Sequence, residues 1–128
     1  EVWSVQLVDT TSCACNFTSP PVMAGNTLVY GQTAGEYPIQ GKIFGLNPKT
    51  GESTWTFNTI KDDPNSWGGD SGKYGGGGSW MPGTYDESTN TYFFGTYCFG
   101  LYIQHSPCDC TRIFIYIYVD LLSSQPIQ

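Results

Sequence analysis

The chain has 128 residues and a formal net charge of −6, and Lys and Arg together number only 5. This charge argues against a nucleic-acid partner, because binding to phosphates rests on basic side chains. No apolar stretch approaches the roughly 18 residues of a membrane-spanning helix. The length predicts about one domain. An aromatic content of 16%, with 16 Gly and 8 Pro, indicates an all-β, turn-rich fold.

The N-terminal segment from Glu1 to Leu7 alternates apolar and polar residues, which is typical of a strand. It is similar to the stretch Glu52–Phe57, with Trp3 standing where Trp55 stands. The two tryptophans indicate a repeated unit, and we expect both to be core residues. The turn that precedes Trp55 would fall before residue 1 in the first repeat. We therefore expect the chain to be a fragment that starts inside a repeat.

The five cysteines form two C-x-C pairs and a single residue: Cys13 with Cys15, Cys108 with Cys110, and Cys98 alone. An odd number leaves at least one thiol unpaired within the chain. Zinc ribbons usually space their ligands as C-x₂₋₄-C, so a metal–thiolate site is the less favoured alternative. Disulfides and buried, inert thiols both remain open.

Two strand–turn–strand patterns follow. The first comprises residues 21–23 and 27–31, and the second comprises residues 41–47 and 53–59. In the second turn Pro48 presets φ, and Gly51 can adopt the positive φ that closes a hairpin. Four successive strands are the number found in one β-propeller blade.

A glycine-rich excursion at residues 61–79 leads to a further strand–turn–strand pattern at residues 81–95. A flexible linker is the simplest interpretation of this composition, although its aromatic residues are unusual for one. Beyond Tyr97 the composition changes. We predict a partial propeller segment at residues 1–97 and a divergent, Cys-containing tail at residues 98–128. The apolar run Ile113–Val119 is β-prone and is expected to be a strand if covered, but we match the tail to no blade.

Three blocks, in order, carry a resemblance to the quinoprotein (pyrroloquinoline quinone-dependent) alcohol dehydrogenases. The first is TSPPV at residues 18–22, similar to T-x-A-P-L of that family. The second joins GQTAGE at residues 31–36 to NPKTGESTW at residues 47–55, which resembles the tryptophan-docking motif that ends each blade. The third is WGGDSGKYGGGGSW at residues 67–80, similar to W-x-G-D-x-W-K-x-G-G-G-x-x-W. The third block is the most specific, because a chance match over so many positions is improbable.

The resemblance implies an incomplete β-propeller of about two blades. It also implies an oxidoreductase ancestry with pyrroloquinoline quinone, a calcium ion and a small-molecule alcohol substrate, in a secreted or periplasmic protein. Trp80 would form the floor beneath the planar quinone, since an indole face offers a large stacking area. Glu36 would be a metal ligand, because calcium takes oxygen ligands. The residues that would line the cofactor's carboxylates are Thr18, Thr33, Ala34 and Gly35.

The sequence departs from the family at several points. The family's second metal-binding side chain, an Asn, aligns with Cys98, and a thiol is a poor ligand for calcium. Gly72 replaces a family Trp. The resemblance assigns the family's catalytic Asp and its adjacent Cys-Cys pair to no residue of this chain, and Cys13-Ala14-Cys15 is not that pair. We therefore expect the chain to be inactive alone.

Each candidate residue also has a purely structural alternative. Glu36 could be a solvated loop carboxylate, and Trp80 could be a core residue instead of a cofactor floor. Asp70 and Lys73 could pair at the surface. His105, the single histidine, is expected in an exposed loop.

Two functions of different classes remain open. The first is part of a quinoprotein alcohol dehydrogenase, which oxidises an alcohol by hydride transfer to the calcium-bound quinone. The second is a non-catalytic, propeller-derived module that self-associates, because an open sheet edge invites pairing with another copy.

Overall fold

The computed structural model describes residues 2–33, 37, 39–60, 76–96, 115–120 and 125–126, the last two segments as backbone alone. The described residues form two antiparallel four-stranded sheets, which confirms the all-β prediction. None of the described residues belongs to a helix that could cross a membrane.

The first sheet is an antiparallel meander with the strand order β1-β2-β3-β4. Its strands are β1 (Val22–Ala24), β2 (Thr27–Gly31), β3 (Lys42–Leu46) and β4 (Ser53–Asn58). These are the four strands predicted for one blade. The register between β3 and β4 shifts at Gly45 and Leu46, where the ladder is locally irregular.

Two of the hairpins in this sheet are closed at a glycine. Gly25, between β1 and β2, has a φ of 57°, and Gly51, before β4, has a φ of 77°. The amide of Gly51 donates to the carbonyl of Asn47 at 2.8 Å, and Asn47 in turn donates to Glu52 at 2.8 Å. The turn chemistry predicted for residues 47–51 is therefore confirmed. Positive φ carries little steric cost for glycine because it lacks a Cβ.

The second sheet has the strand order β5-β6-β7-β8. Its strands are β5 (Thr84–Asp86), β6 (Thr91–Thr96), β7 (Ile115–Asp120) and β8 (Gln125–Pro126). β7 pairs with β6 along its whole length, from Thr96 opposite Ile115 to Thr91 opposite Asp120. The β-prone run that matched no blade in the sequence therefore supplies a strand to this sheet. The predicted domain boundary at residues 97–98 lies outside the described residues.

The hydrophobic core lies where the two sheets face each other. Its buried members come from both sheets: Ala24, Val29, Ile43, Tyr92 and Phe94. The rings of Phe57 and Phe94 meet edge to face, with centroids 6.1 Å apart, a favourable arrangement for aromatic pairs. Trp55 is half-buried and packs against the same cluster.

The strand predicted at residues 1–7 is wrong for residues 2–7, which have no strand assignment. Trp3 nevertheless holds this segment against the first sheet. Its Nε1 donates to the carbonyl of Pro48 at 3.0 Å. A Cβ built on Gly51 would lie 2.4 Å from the indole. The segment is thus attached through one side chain that covers a turn, instead of through a backbone ladder.

Candidate functional site

Three segments converge at one end of the first sheet, where β2 ends and β3 begins. The amide of Thr33 donates to the carbonyl of Asn16 at 2.8 Å, and the amide of Ser79 donates to the carbonyl of Gln32 at 2.9 Å. The segment after β2 therefore has residues 16–19 on one side and residues 76–80 on the other. These segments contain parts of all three sequence blocks that carry the family resemblance.

The glycine segment Gly76–Gly78 packs tightly against the protein's own backbone. The amide of Gly41 donates to the carbonyl of Gly76 at 2.9 Å. A Cβ on Gly41 would lie 2.1 Å from the carbonyl oxygen of Gly77, and one on Gly31 would lie 2.6 Å from that of Ser79. Real Cβ atoms are not found this close to backbone atoms, so the absence of a side chain at Gly31 and Gly41 is what allows the segment to approach.

One hydroxyl group fixes this arrangement. The Oγ1 of Thr59 lies 2.9 Å from the carbonyl oxygen of Gly41 and 2.7 Å from that of Gly77. A hydroxyl has a single proton, so it donates to one carbonyl at a time. Thr59 follows β4 directly, and its amide also donates to Gly41 at 3.0 Å. Thr59 therefore adds a side-chain link between the sheet and the glycine segment to the backbone hydrogen bonds that already join them.

Trp80 and Thr33 lie on two segments that are joined by one backbone hydrogen bond. Each directly follows one partner of the hydrogen bond between Ser79 and Gln32, so each lies one Cα step, about 3.8 Å, from a bonded residue. The side chain of Trp80 is 52% exposed, whereas Thr33 is 6% exposed. Trp80 therefore lies outside the core that the described residues form.

Thr18 lies on the segment that flanks Thr33 from the other side. Its side chain is exposed, and the residues around it are anchored. The ring of Phe17 contacts that of Tyr30 at a centroid distance of 4.6 Å and that of Phe44 at 5.9 Å. These contacts hold the backbone at Thr18 in place beside the first sheet.

The remaining predicted site residues, Ala34, Gly35 and Glu36, lie outside the described residues, as do Asp70, Lys73, Cys98 and His105. Within the described part of the chain, no group of three or more His, Cys, Asp or Glu side chains is placed to hold a metal ion. The roles predicted for these residues stay predictions.

One contact of this region, between a cysteine and a glutamine, could not be found from the sequence. Cys13 and Cys15 form a disulfide, one of the alternatives left open for them. Gln32 is almost completely buried, at 1% exposure, and its Nε2 donates to Cys15 Sγ at 3.1 Å. A C-x-C pair is visible in a sequence, but a glutamine that reaches it from 17 positions away is not.

Two pKa shifts in the described residues, those of Tyr92 and Asp86, have local causes. Burial raises the pKa of Tyr92 above its ordinary value of 10.0, against a smaller opposing effect of the Gly83 amide. The Ser88 hydroxyl, with that of Thr89, lowers the pKa of the exposed Asp86. These groups lie in the core and in the β5–β6 turn. They stabilise the scaffold and lie on elements other than the three convergent segments.

A family model matches residues 4–98, and its description is "Glucose/ethanol/alcohol dehydrogenase, beta-propeller domain". Among curated proteins, the chain is 29% identical to quinoprotein alcohol dehydrogenase PedH from Pseudomonas putida, over 74% of this chain and 19% of that protein. It is 31% identical to a lupanine 17-hydroxylase [cytochrome c] from a Pseudomonas species, over 73% of this chain and 16% of the relative. The chain thus spans about a fifth of the length of these relatives.

Solved structures with the same fold include the quinohemoprotein alcohol dehydrogenase from Comamonas testosteroni. It has a TM-score of 0.74 at 21% identity, covering 91% of this chain and 20% of that one. A europium-containing methanol dehydrogenase matches with a TM-score of 0.61 at 22% identity, over 75% of this chain and 20% of that one. At these identities the likeness shows the fold, which is a partial β-propeller.

Proposed function

Since the chain belongs to the family of glucose, ethanol and alcohol dehydrogenase β-propeller domains, we propose that it forms one wall of a quinone site in an alcohol dehydrogenase. The parent enzyme would oxidise a small-molecule alcohol. The chain supplies the floor and one edge of the cofactor pocket, and it is inactive alone. This assignment retains the roles that the resemblance gives to Trp80, Thr33 and Glu36.

The hydrogen bond between Ser79 and Gln32 is the observation that carries the proposal. It brings the predicted floor, Trp80, next to the predicted edge, Thr33, although the two are 47 positions apart in the sequence. A planar cofactor that lies on Trp80 would meet the segment of Thr33 at its rim.

Three features of the chain support a flat, acidic organic cofactor in the proposed site. Trp80 has about half of its surface exposed, which leaves area for ring stacking. Thr18 and Thr33 carry hydroxyl groups on the two segments that meet beside it, and hydroxyls donate to carboxylates. Glu36, three positions beyond Thr33, supplies the carboxylate that a hard cation requires. The europium in the methanol dehydrogenase with the same fold agrees with a site for a cation that prefers oxygen ligands.

The residues of this chain bind and orient in the proposed site. Trp80 excludes water from one face of the cofactor, and the threonine hydroxyls set its rotation in the plane. When bound, a quinone polarised by calcium supplies the hydride acceptor for alcohol oxidation. The proton of the alcohol would be removed by a base that the resemblance places elsewhere in the parent enzyme. We therefore propose that catalysis requires the remainder of a propeller.

Calorimetric titration of the full chain with pyrroloquinoline quinone and Ca²⁺ tests this function. We expect heat of binding that is lost in Trp80→Ala, because the stacking surface is removed. Met81→Ala is the matched control, since Met81 is the neighbouring residue and is 55% exposed. Absence of heat from the unmodified chain, with the fold retained by circular dichroism, would contradict the proposal.

A self-associating module is the second candidate, and the position of β4 favours it. β4 is the end strand of the first sheet, and its residues are exposed or half-buried. An end strand presents backbone groups that another strand can bind. Analytical ultracentrifugation checks this candidate: concentration-dependent association supports it, and a strictly monomeric, folded chain contradicts it.

For either function we propose a secreted or periplasmic location.

A further inference from the structure

A disulfide lies directly beside the convergent segments. It joins Cys13 to Cys15, and the next residue, Asn16, pairs with Thr33. Both cysteines are half-buried, while Ala14 between them is exposed. The disulfide is therefore close to the surface on one side and in contact with the buried side chain of Gln32 on the other.

Gln32 is an unusual neighbour for a disulfide. Its side chain is buried, and its amide Nε2 donates to Cys15 Sγ at 3.1 Å. Its Oε1 finds no hydrogen-bond donor among the described residues. A buried acceptor without a donor is unfavourable. A disulfide sulfur carries no hydrogen and cannot satisfy this oxygen, whereas a thiol has an S–H group that can donate.

We propose that Cys13 and Cys15 form a reversible redox pair, and that the buried amide of Gln32 favours its reduced form. A thiolate sulfur accepts a hydrogen bond from N–H more strongly than a disulfide sulfur does, because it carries a negative charge. The hydrogen bond from Gln32 to Cys15 therefore stabilises the reduced form more than the oxidised form. The unpartnered oxygen adds to this preference, since a reduced cysteine has an S–H group that can donate to it.

The exchange partner is a small-molecule or protein dithiol. Its thiolate attacks Cys13 Sγ, the Cys13–Cys15 bond breaks, and Cys15 leaves as a thiolate that accepts the Gln32 N–H. The second thiol of the reductant then attacks the reductant sulfur that is bonded to Cys13, and Cys13 is released. Two electrons and two protons pass from the dithiol to the cysteine pair, and the reductant becomes a disulfide.

The sequence allows this pair to be measured separately from the other cysteines. Lys42 is the first tryptic site, so the peptide of residues 1–42 contains Cys13 and Cys15 and no other cysteine. The folded full chain is equilibrated with mixtures of reduced and oxidised dithiothreitol, trapped by alkylation, digested and weighed by mass spectrometry. We expect reversible titration of this peptide between a disulfide and a dithiol form while the circular dichroism spectrum is retained.

Gln32→Met keeps a buried chain of similar length but removes the N–H donor. We expect it to make the pair about tenfold harder to reduce, which for a two-electron couple is about 30 mV. Gln32→Asn, which withdraws the amide from the sulfur, should act in the same direction. Gln6→Met is the matched control, because Gln6 is exposed and donates to Val8 instead, and we expect no change.

Three results would overturn the proposal. One is an unchanged equilibrium in folded Gln32→Met. Another is a peptide of residues 1–42 that never carries an internal disulfide. The third applies even if both Gln32 variants fail to fold: reduction of the unmodified chain that occurs only after unfolding in urea.

Discussion

At the residue scale, several positions require glycine because a neighbouring group occupies the space that a Cβ atom would need. A Cβ on Gly45 would lie 2.0 Å from the indole of Trp55, which is its partner across the β3–β4 ladder. The sequence shows the glycine and the tryptophan, but not that one lies over the other. The register of the two strands decides this, and it depends on the irregularity beside Gly45.

Gly45→Ala is therefore expected to destabilise the fold. The new methyl group would displace a half-buried indole from the core, and overpacking of this kind typically costs about 1–3 kcal/mol. Chemical denaturation followed by tryptophan fluorescence measures the change. Gly95→Ala in β6 is the control, because a Cβ there meets nothing within 4 Å, and a strand alanine should be neutral or slightly stabilising. Equal losses in the two variants would show that the packing of Trp55 is not the cause.

The ionisation of Tyr92 makes the stability of the fold depend on pH. The side chain is buried, and the Gly83 amide donates to its hydroxyl oxygen at 2.8 Å. Because its pKa is raised in the folded chain, folding keeps a proton that the unfolded chain loses first. The stability that this provides is complete below pH 10.0, the ordinary pKa, and is lost as the pH rises through the raised value.

Tyr92→Phe should cost about 1 kcal/mol at about pH 8, through loss of the hydrogen bond. At about pH 11 the deficit should shrink, since the variant has no proton to lose at this position. Urea unfolding at the two pH values measures both free energies. A deficit that is constant with pH would contradict the assigned direction of the pKa shift.

At the scale of elements, the hairpins were predictable and the long-range contact was not. Asn47, Pro48 and Gly51 encode their turn locally. The strands of the first sheet follow from β-branched and aromatic runs between such turns. The glycine segment Gly76–Gly78 has no comparable local signal. Its position depends on the carbonyl groups of Gly76 and Gly77, which accept hydrogen bonds from a distant part of the chain.

Thr59→Val is expected to loosen that segment while leaving the sheet intact. It removes the hydroxyl between Gly41 and Gly77, and one such hydrogen bond is worth about 1 kcal/mol, or roughly a fivefold change in opening. Amide hydrogen exchange at Gly76 and Ser79 should accelerate accordingly.

Thr54→Val is the control for this change. Its hydroxyl donates to the carbonyl of Gly45 at 3.0 Å, within the first sheet and away from the glycine segment. Exchange at Gly76 should then match that of the unmodified chain. If both variants accelerate it equally, Thr59 does not have the specific role described.

At the scale of the whole molecule, composition and turn spacing were sufficient for an all-β fold with one complete four-stranded sheet. The completion of the second sheet was not predictable, because β7 comes from a stretch without a blade motif and is identified by its pairing with β6. For the site, the sequence blocks named Thr18, Thr33 and Trp80 as cofactor-binding residues, and that role stays a prediction. The cysteine–glutamine contact was missed, since nothing local relates residues 15 and 32.

We propose that Trp80 and Glu36 face one compartment, with a cation and a flat ring between them. Terbium luminescence measures this directly, because the lanthanide prefers carboxylate oxygens and emits when an indole nearby is excited. We predict emission from the full chain that is lost in Glu36→Gln and in Trp80→Phe and kept in Trp55→Phe. Emission that survives Trp80→Phe, or no emission from the unmodified chain, would contradict the account.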